Sequence, residues 1–147
     1  MKQLISERLA VHTILAILSL IVFFHLAILL GIIPFDIVWG GRLQHEAQMQ
    51  RFETVSIAAN LVMIAVVAIR GGYLRVRIAP RIIAIVLWAM GALFVLNTLG
   101  NLASVNSWER IIFTPLTAIL ALLCFRLAIR KEHRSYKSVR KAPTKAL

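Results

Sequence analysis

Four long stretches of the chain carry no Asp, Glu, Lys or Arg: Leu9 to Phe35, Thr54 to Ile69, Ile82 to Trp108 and Ile111 to Phe125. A helix that crosses a bilayer needs ~20 mostly apolar residues, and ~17 suffices when it is not tilted. The first and third stretches exceed that length. The second and fourth are shorter, but Arg70 and Arg126 close them. Their aliphatic stems can lie along apolar surface while the charge reaches the headgroups. The stretches show no strict alternation of apolar and polar residues, so helices rather than barrel strands must satisfy the backbone in lipid. The sequence therefore predicts an all-α membrane protein, a four-helix transmembrane bundle. Its spans fall near 9–33, 54–71, 81–100 and 110–129, and a basic tail follows over 130–147.

Composition supports this reading. Of 147 residues, 60% are hydrophobic, against roughly 45–50% in soluble domains. A chain this short has too little interior to hide such an excess from water. The first apolar run is too long for the core of a cleaved signal peptide, and no small-residue cleavage site follows it. It reads as an uncleaved first helix.

The basic residues are distributed unevenly. Taking the N-terminus as cytoplasmic puts fourteen Lys and Arg on that side and three, Arg42, Arg51 and Arg110, on the other. Basic residues collect on the cytoplasmic side of membrane proteins. Both ends are thus expected inside, in the cell membrane (the inner membrane if the cell is bacterial). The tail would meet anionic lipid headgroups there, each Lys or Arg near the surface contributing about 1 kcal/mol, or would serve only as a topology anchor with a disordered end. No folded module or aromatic interleaving points to nucleic acid.

Local signals set the boundaries. Pro34 is expected to end or kink the first helix. Gly40-Gly41 gives the outer connection a flexible point, and good helix formers follow from Arg42 to Glu53, so the second helix is expected to extend outward. Gly71-Gly72 should stop it on the inside, and the third helix starts after Pro80. Asn106 with Glu109 reads as a capping pair for the fourth helix, and Pro115 should kink it. Trp39 and Trp108 read as interfacial aromatics.

Polar residues inside the spans are the informative ones, because they are costly in hydrocarbon and turn toward other helices or a cavity. His25 falls in the outer half of the first helix. Asn60 lies about two turns into the second, Asn97 and Asn101 near the outer end of the third, and Thr114 and Thr117 beside Pro115 in the fourth. Glu46, Glu53 and Asn60 recur every seven residues and share a face with Ser56. Two roles are open to these groups. They can tie helices together by hydrogen bonds, each worth about 0.6 kcal/mol, or they can line a polar pocket open to the outer side. Their common depth on four helices favours the pocket. Its acids would be Glu53 and Glu109, with Arg42, Arg51 or Arg110 as neutralising partners. The candidate binding residues are His25, Arg42, Glu46, Glu53, Ser56, Asn60, Asn97, Asn101, Glu109, Arg110, Thr114 and Thr117.

No motif fixes a reaction. The chain has no metalloprotease pair of histidines, no phosphate loop and no nucleophile elbow. Its four histidines lack metal-ligand spacing, and Cys124 stands alone, so neither a metal, a cofactor nor an internal dithiol is expected. Three functions fit. The first is binding or transport of a small amphiphile or lipid headgroup. The second is a structural or regulatory subunit of a larger membrane complex or homo-oligomer. The third is an enzyme in which His25 or Glu53 acts as acid or base on a lipid-like substrate, which requires the two groups to meet.

Overall fold

A computed structural model describes residues 5–35, 38–41 and 43–129. The expected basic tail, 130–147, lies outside the described residues, as does Arg42. Within them the chain is all-helical. It runs α1 (Glu7–Leu29), a 3-10 turn (Trp39–Gly41), α2 (Glu46–Arg70), α3 (Pro80–Leu102), a π-helical turn (Glu109–Phe113) and α4 (Thr114–Ala128). Four helical segments are long and apolar enough to cross a membrane, the fourth being the π turn together with α4. The bundle end that carries the 38–45 connection is called outer below, after the expected orientation.

Each helix boundary has a local cause. Ser6 caps α1 by accepting the Leu9 amide at 3.1 Å. At its other end, Ile32 N–H donates to the Ala27 carbonyl and Gly31 N–H to that of Ile28, both at 2.9 Å. This is a Schellman closure, and it requires Gly31 at a φ of 72°, where a side chain would be strained. The first helix thus stops before Pro34. Gly72, at a φ of 80°, ends α2 in the same way, with Tyr73 N–H donating to the Ala68 carbonyl at 2.9 Å. Pro80 opens α3 at a position where its missing N–H costs nothing.

The entry to the fourth helix differs from a simple kink. Asn106 Oδ1 accepts the Trp108 amide at 2.9 Å. Glu109 accepts from Ser104 Oγ at 2.5 Å, and that hydroxyl accepts the Asn106 amide at 3.1 Å. Pro115 has no N–H to donate. The chain answers with one wide π turn immediately before α4.

Packing divides the molecule along its length. α1 pairs with α2, and α3 with α4. The two hairpins join mainly through α1 and α4, while α2 and α3 scarcely touch. In the inner half the interior is solid and apolar. Ala10, Ile14 and Leu18 of α1, Leu87 and Met90 of α3, and Leu120, Cys124 and Leu127 of α4 are all buried there. Arg70 secures the inner end, pairing with Glu7 of α1 and donating through Nε to the Leu127 carbonyl at 3.3 Å. His12 and Tyr73 are hydrogen-bonded beside it. A smaller apolar cluster, Ile28, Val38, Leu43 and Met49, pins the outer connection onto α1 and α2.

Candidate functional site

The outer half is hollow. A cavity of about 290 Å³ lies between the four helices. Helical spacing explains which side chains reach it. On α4 and the turn before it, Glu109, Phe113 and Thr117 stand four residues apart and take the cavity face. On α3, Leu93, Asn97 and Asn101 do the same, and Ser56 and Asn60 are the corresponding pair on α2. α1 supplies Ile21, Phe24 and His25, and the connection supplies Val38 and Trp39. Most of the wall is apolar, with phenyl rings from Phe24, Phe94 and Phe113 among the polar groups.

Glu53 sits behind this wall and is fully buried. One carboxylate oxygen accepts from Trp39 Nε1 at 2.8 Å, and the other lies 2.5 Å from His25 Nδ1. Burying a carboxylate is expensive unless it is paired and hydrogen-bonded, and these two contacts supply that. Trp39 reaches the acid from an unusual backbone. Its φ of 57° is the one positive value at a non-glycine position among the described residues, a conformation that is strained for a bulky side chain. An edge-on contact with Phe52, ring centres 4.9 Å apart, holds the indole in place.

The opposite wall is a hydroxyl and amide cluster. Thr117 Oγ1 accepts from Thr98 Oγ1 at 2.9 Å and from Asn101 Nδ2 at 3.4 Å. It has carbonyl acceptors for its own proton at Phe113, 2.8 Å away, and at Thr114, 3.2 Å away. Asn60 turns one amide hydrogen back onto the Ser56 carbonyl at 2.8 Å. Val55 and Ala59 of α2 and Leu93 and Asn97 of α3 line the cavity and are nevertheless exposed. The cavity therefore opens sideways, along the seam where α2 and α3 part.

Of the twelve residues proposed from sequence, His25, Ser56, Asn60, Asn97, Asn101, Glu109 and Thr117 line this cavity, and Glu53 backs it. Three others do not. Glu46 is exposed in the first turn of α2. It shares a seven-residue spacing with Glu53 but stands two turns further out, at the start of the helix. Arg110 and Thr114 are four apart, one residue on from Glu109 and Phe113, so they fall on a neighbouring face rather than on the cavity face. Arg110 is exposed, and the Thr114 hydroxyl is buried without a hydrogen-bond partner among the described residues. Arg42 lies outside the described residues. Arg51, offered as a neutralising partner, is exposed on α2.

Three contributors were not evident beforehand. Trp39 reads in the sequence as an interfacial aromatic, and nothing in its neighbourhood announces a bond to an acid fourteen residues later. Thr98 could have been found, since it adjoins Asn97 and precedes Asn101 by one helical step. Ser104 could have been read as part of the turn chemistry ahead of Asn106. Among the described residues no group of three His, Cys, Asp or Glu could hold a metal ion. No family model matches the chain, and neither does any curated protein or solved structure.

Proposed function

We propose that the chain is a small membrane protein that binds, and in doing so stores or transfers, a small amphiphile or lipid headgroup in its outer cavity. One observation carries this reading: polar side chains from four helices converge on a single void that is otherwise apolar. Ligand sites commonly combine a mostly apolar wall with a few placed polar groups. The cavity is at the small end of the usual range of about 300–1,000 Å³, which suits a head group with its tail left outside. The seam between α2 and α3 gives that tail a path into the surrounding lipid.

The test is purification of the full chain in mild detergent, followed by mass spectrometry of what stays bound. A retained amphiphile is expected with the wild type. It should be lost in Glu53→Gln and Asn60→Leu while expression is kept. Equal retention by both variants would remove the pocket from the account. Recovery of a stoichiometric protein partner with no small molecule would favour a subunit of a larger complex.

A second reading is favoured by one contact. An acid–base enzyme acting on a lipid-like substrate needs His25 and Glu53 within hydrogen-bond reach, and they are 2.5 Å apart. An imidazole held by a carboxylate at one nitrogen is a recurrent arrangement for general-base work at the other. Turnover of a lipid retained by the protein, abolished in a His25 variant that still retains it, would move the assignment from binding protein to enzyme.

A further inference from the structure

The connection between α2 and α3, residues 71–79, sits at the inner end and takes no part in the outer cavity. Both helices that it joins are long and apolar enough to span, so a link this short stays at the surface of the bilayer. Every residue in it is exposed, as are Pro80, Arg81 and Ile82. Two kinds of side chain are mixed there. Tyr73, Leu74, Val76 and Ile78 are large and apolar, and between 37% and 58% of each is left uncovered by protein. Arg75, Arg77 and Arg81 are interleaved with them. Among the described residues none of these three arginines has an ion pair or a side-chain hydrogen bond, and the one described acid at this end, Glu7, is taken by Arg70. The link nevertheless has a defined shape. Gly72 turns the chain at a φ of 80°, and the Tyr73 hydroxyl is hydrogen-bonded to His12 of α1. Ile78 N–H donates to the Val76 carbonyl at 3.1 Å, which puts Arg77 at the apex of a three-residue turn.

Water satisfies the arginines and leaves four large apolar side chains wet. A soluble polyanion covers the charges and leaves the same side chains bare. Lipid headgroups suit both kinds. Apolar side chains reach the acyl boundary from such a position, tyrosine is enriched at that depth, and a guanidinium takes phosphate oxygens two at a time. We infer that the 71–79 connection, together with Arg81, lies in the headgroup layer and forms a binding site for anionic phospholipid. Leu74, Val76 and Ile78 enter at the acyl boundary, while Arg75, Arg77 and Arg81 hold phosphate groups. A zwitterionic lipid carries the same phosphate, but a cluster of three cations repels its ammonium group. On the expected orientation this is the cytoplasmic leaflet, whose surface is the negative one. The site is separate from the outer cavity, so failure of either reading leaves the other standing.

The experiment titrates the full chain, purified in detergent, with phosphatidylglycerol and with phosphatidylcholine, reading bound lipid by native mass spectrometry. Phosphatidylglycerol should bind more tightly. In Arg75→Gln/Arg77→Gln its affinity should fall about fivefold per arginine, the scale of one basic side chain at an anionic surface, while phosphatidylcholine is unaffected. Arg51→Gln/Arg110→Gln removes the same charge at the other end and should behave as wild type. Glycerol phosphate, a head without chains, should not displace the lipid at equal concentration. A second measurement places the link in depth. A nitroxide is attached through Val76→Cys; the one native thiol, Cys124, is buried and leaves the label to the new one. In nanodiscs containing phosphatidylglycerol the label should be reached by oxygen and shielded from a water-soluble nickel chelate. Equal affinity for the two lipids, equal losses in the two double variants, or displacement by glycerol phosphate would each overturn the proposal. A label reached mainly by the chelate would also overturn it and would leave this face to a protein partner.

Discussion

Glu53 has two donors, and removing either leaves a buried carboxylate short of a partner. The two losses should differ in size. His25→Leu breaks a buried pair and is expected to cost about 3–5 kcal/mol. Trp39→Phe removes one hydrogen bond to a charged group, about 1.5–3 kcal/mol. Thr117→Val, on the opposite wall, disturbs only neutral contacts, which average about 0.6 kcal/mol between membrane helices. Thermal or denaturant unfolding in a fixed detergent should therefore rank the variants in that order. A Trp39 variant as mild as the Thr117 one would mean that water or another group replaces the indole. Much of this residue-level picture was legible beforehand, because the cost of polar groups in hydrocarbon singles out His25, Asn60, Asn97, Asn101 and Thr117 one helix at a time, and the seven-residue spacing to Asn60 adds Glu53. Trp39 was not legible. Its role depends on a left-handed backbone position in a connection, and nothing local in the sequence encodes that.

At the scale of helices, the spans followed from apolar length alone, but their ends depended on turn chemistry. Pro34 is a strong helix breaker, yet Gly31 stops α1 first, since the Schellman closure satisfies the last carbonyls that a proline would only have left open. The π turn before Pro115 was hidden for a related reason. A missing N–H predicts a disturbance without saying whether the chain bends or widens. Close approach is the other property of a helix pair that single residues reveal poorly. Gly91 of α3 is buried against the ring of Phe125, and a Cβ built there would come within 2.3 Å of that ring. Phe125 in turn packs on Trp88, ring centres 5.0 Å apart, so moving it disturbs that contact. Gly91→Val should cost about 1–3 kcal/mol through overpacking, and Phe125→Ala in the same chain should recover part of the loss. Additive destabilisation in the double variant would show that the clash is relieved elsewhere.

For the molecule as a whole, the expected orientation is a matter of charge rather than shape, and it has its own test. A reporter fused after Leu147 that works only in the cytoplasm should be active, and its periplasmic or extracellular counterpart silent. The reverse result would put the cavity on the cytoplasmic side. Either way the interior is unequal along its length, hollow at the end with the 38–45 connection and filled at the other by the cluster that includes Leu18, Leu87, Leu120 and Leu127. A solute resting beside His25 faces, among the described residues, a buried cluster made of apolar side chains. Crossing it would mean parting the side chains of this packed cluster. On the proposed binding reading, a ligand enters and leaves by the same side opening. Liposomes carrying the protein should accordingly stay as impermeable to small polar solutes as bare ones.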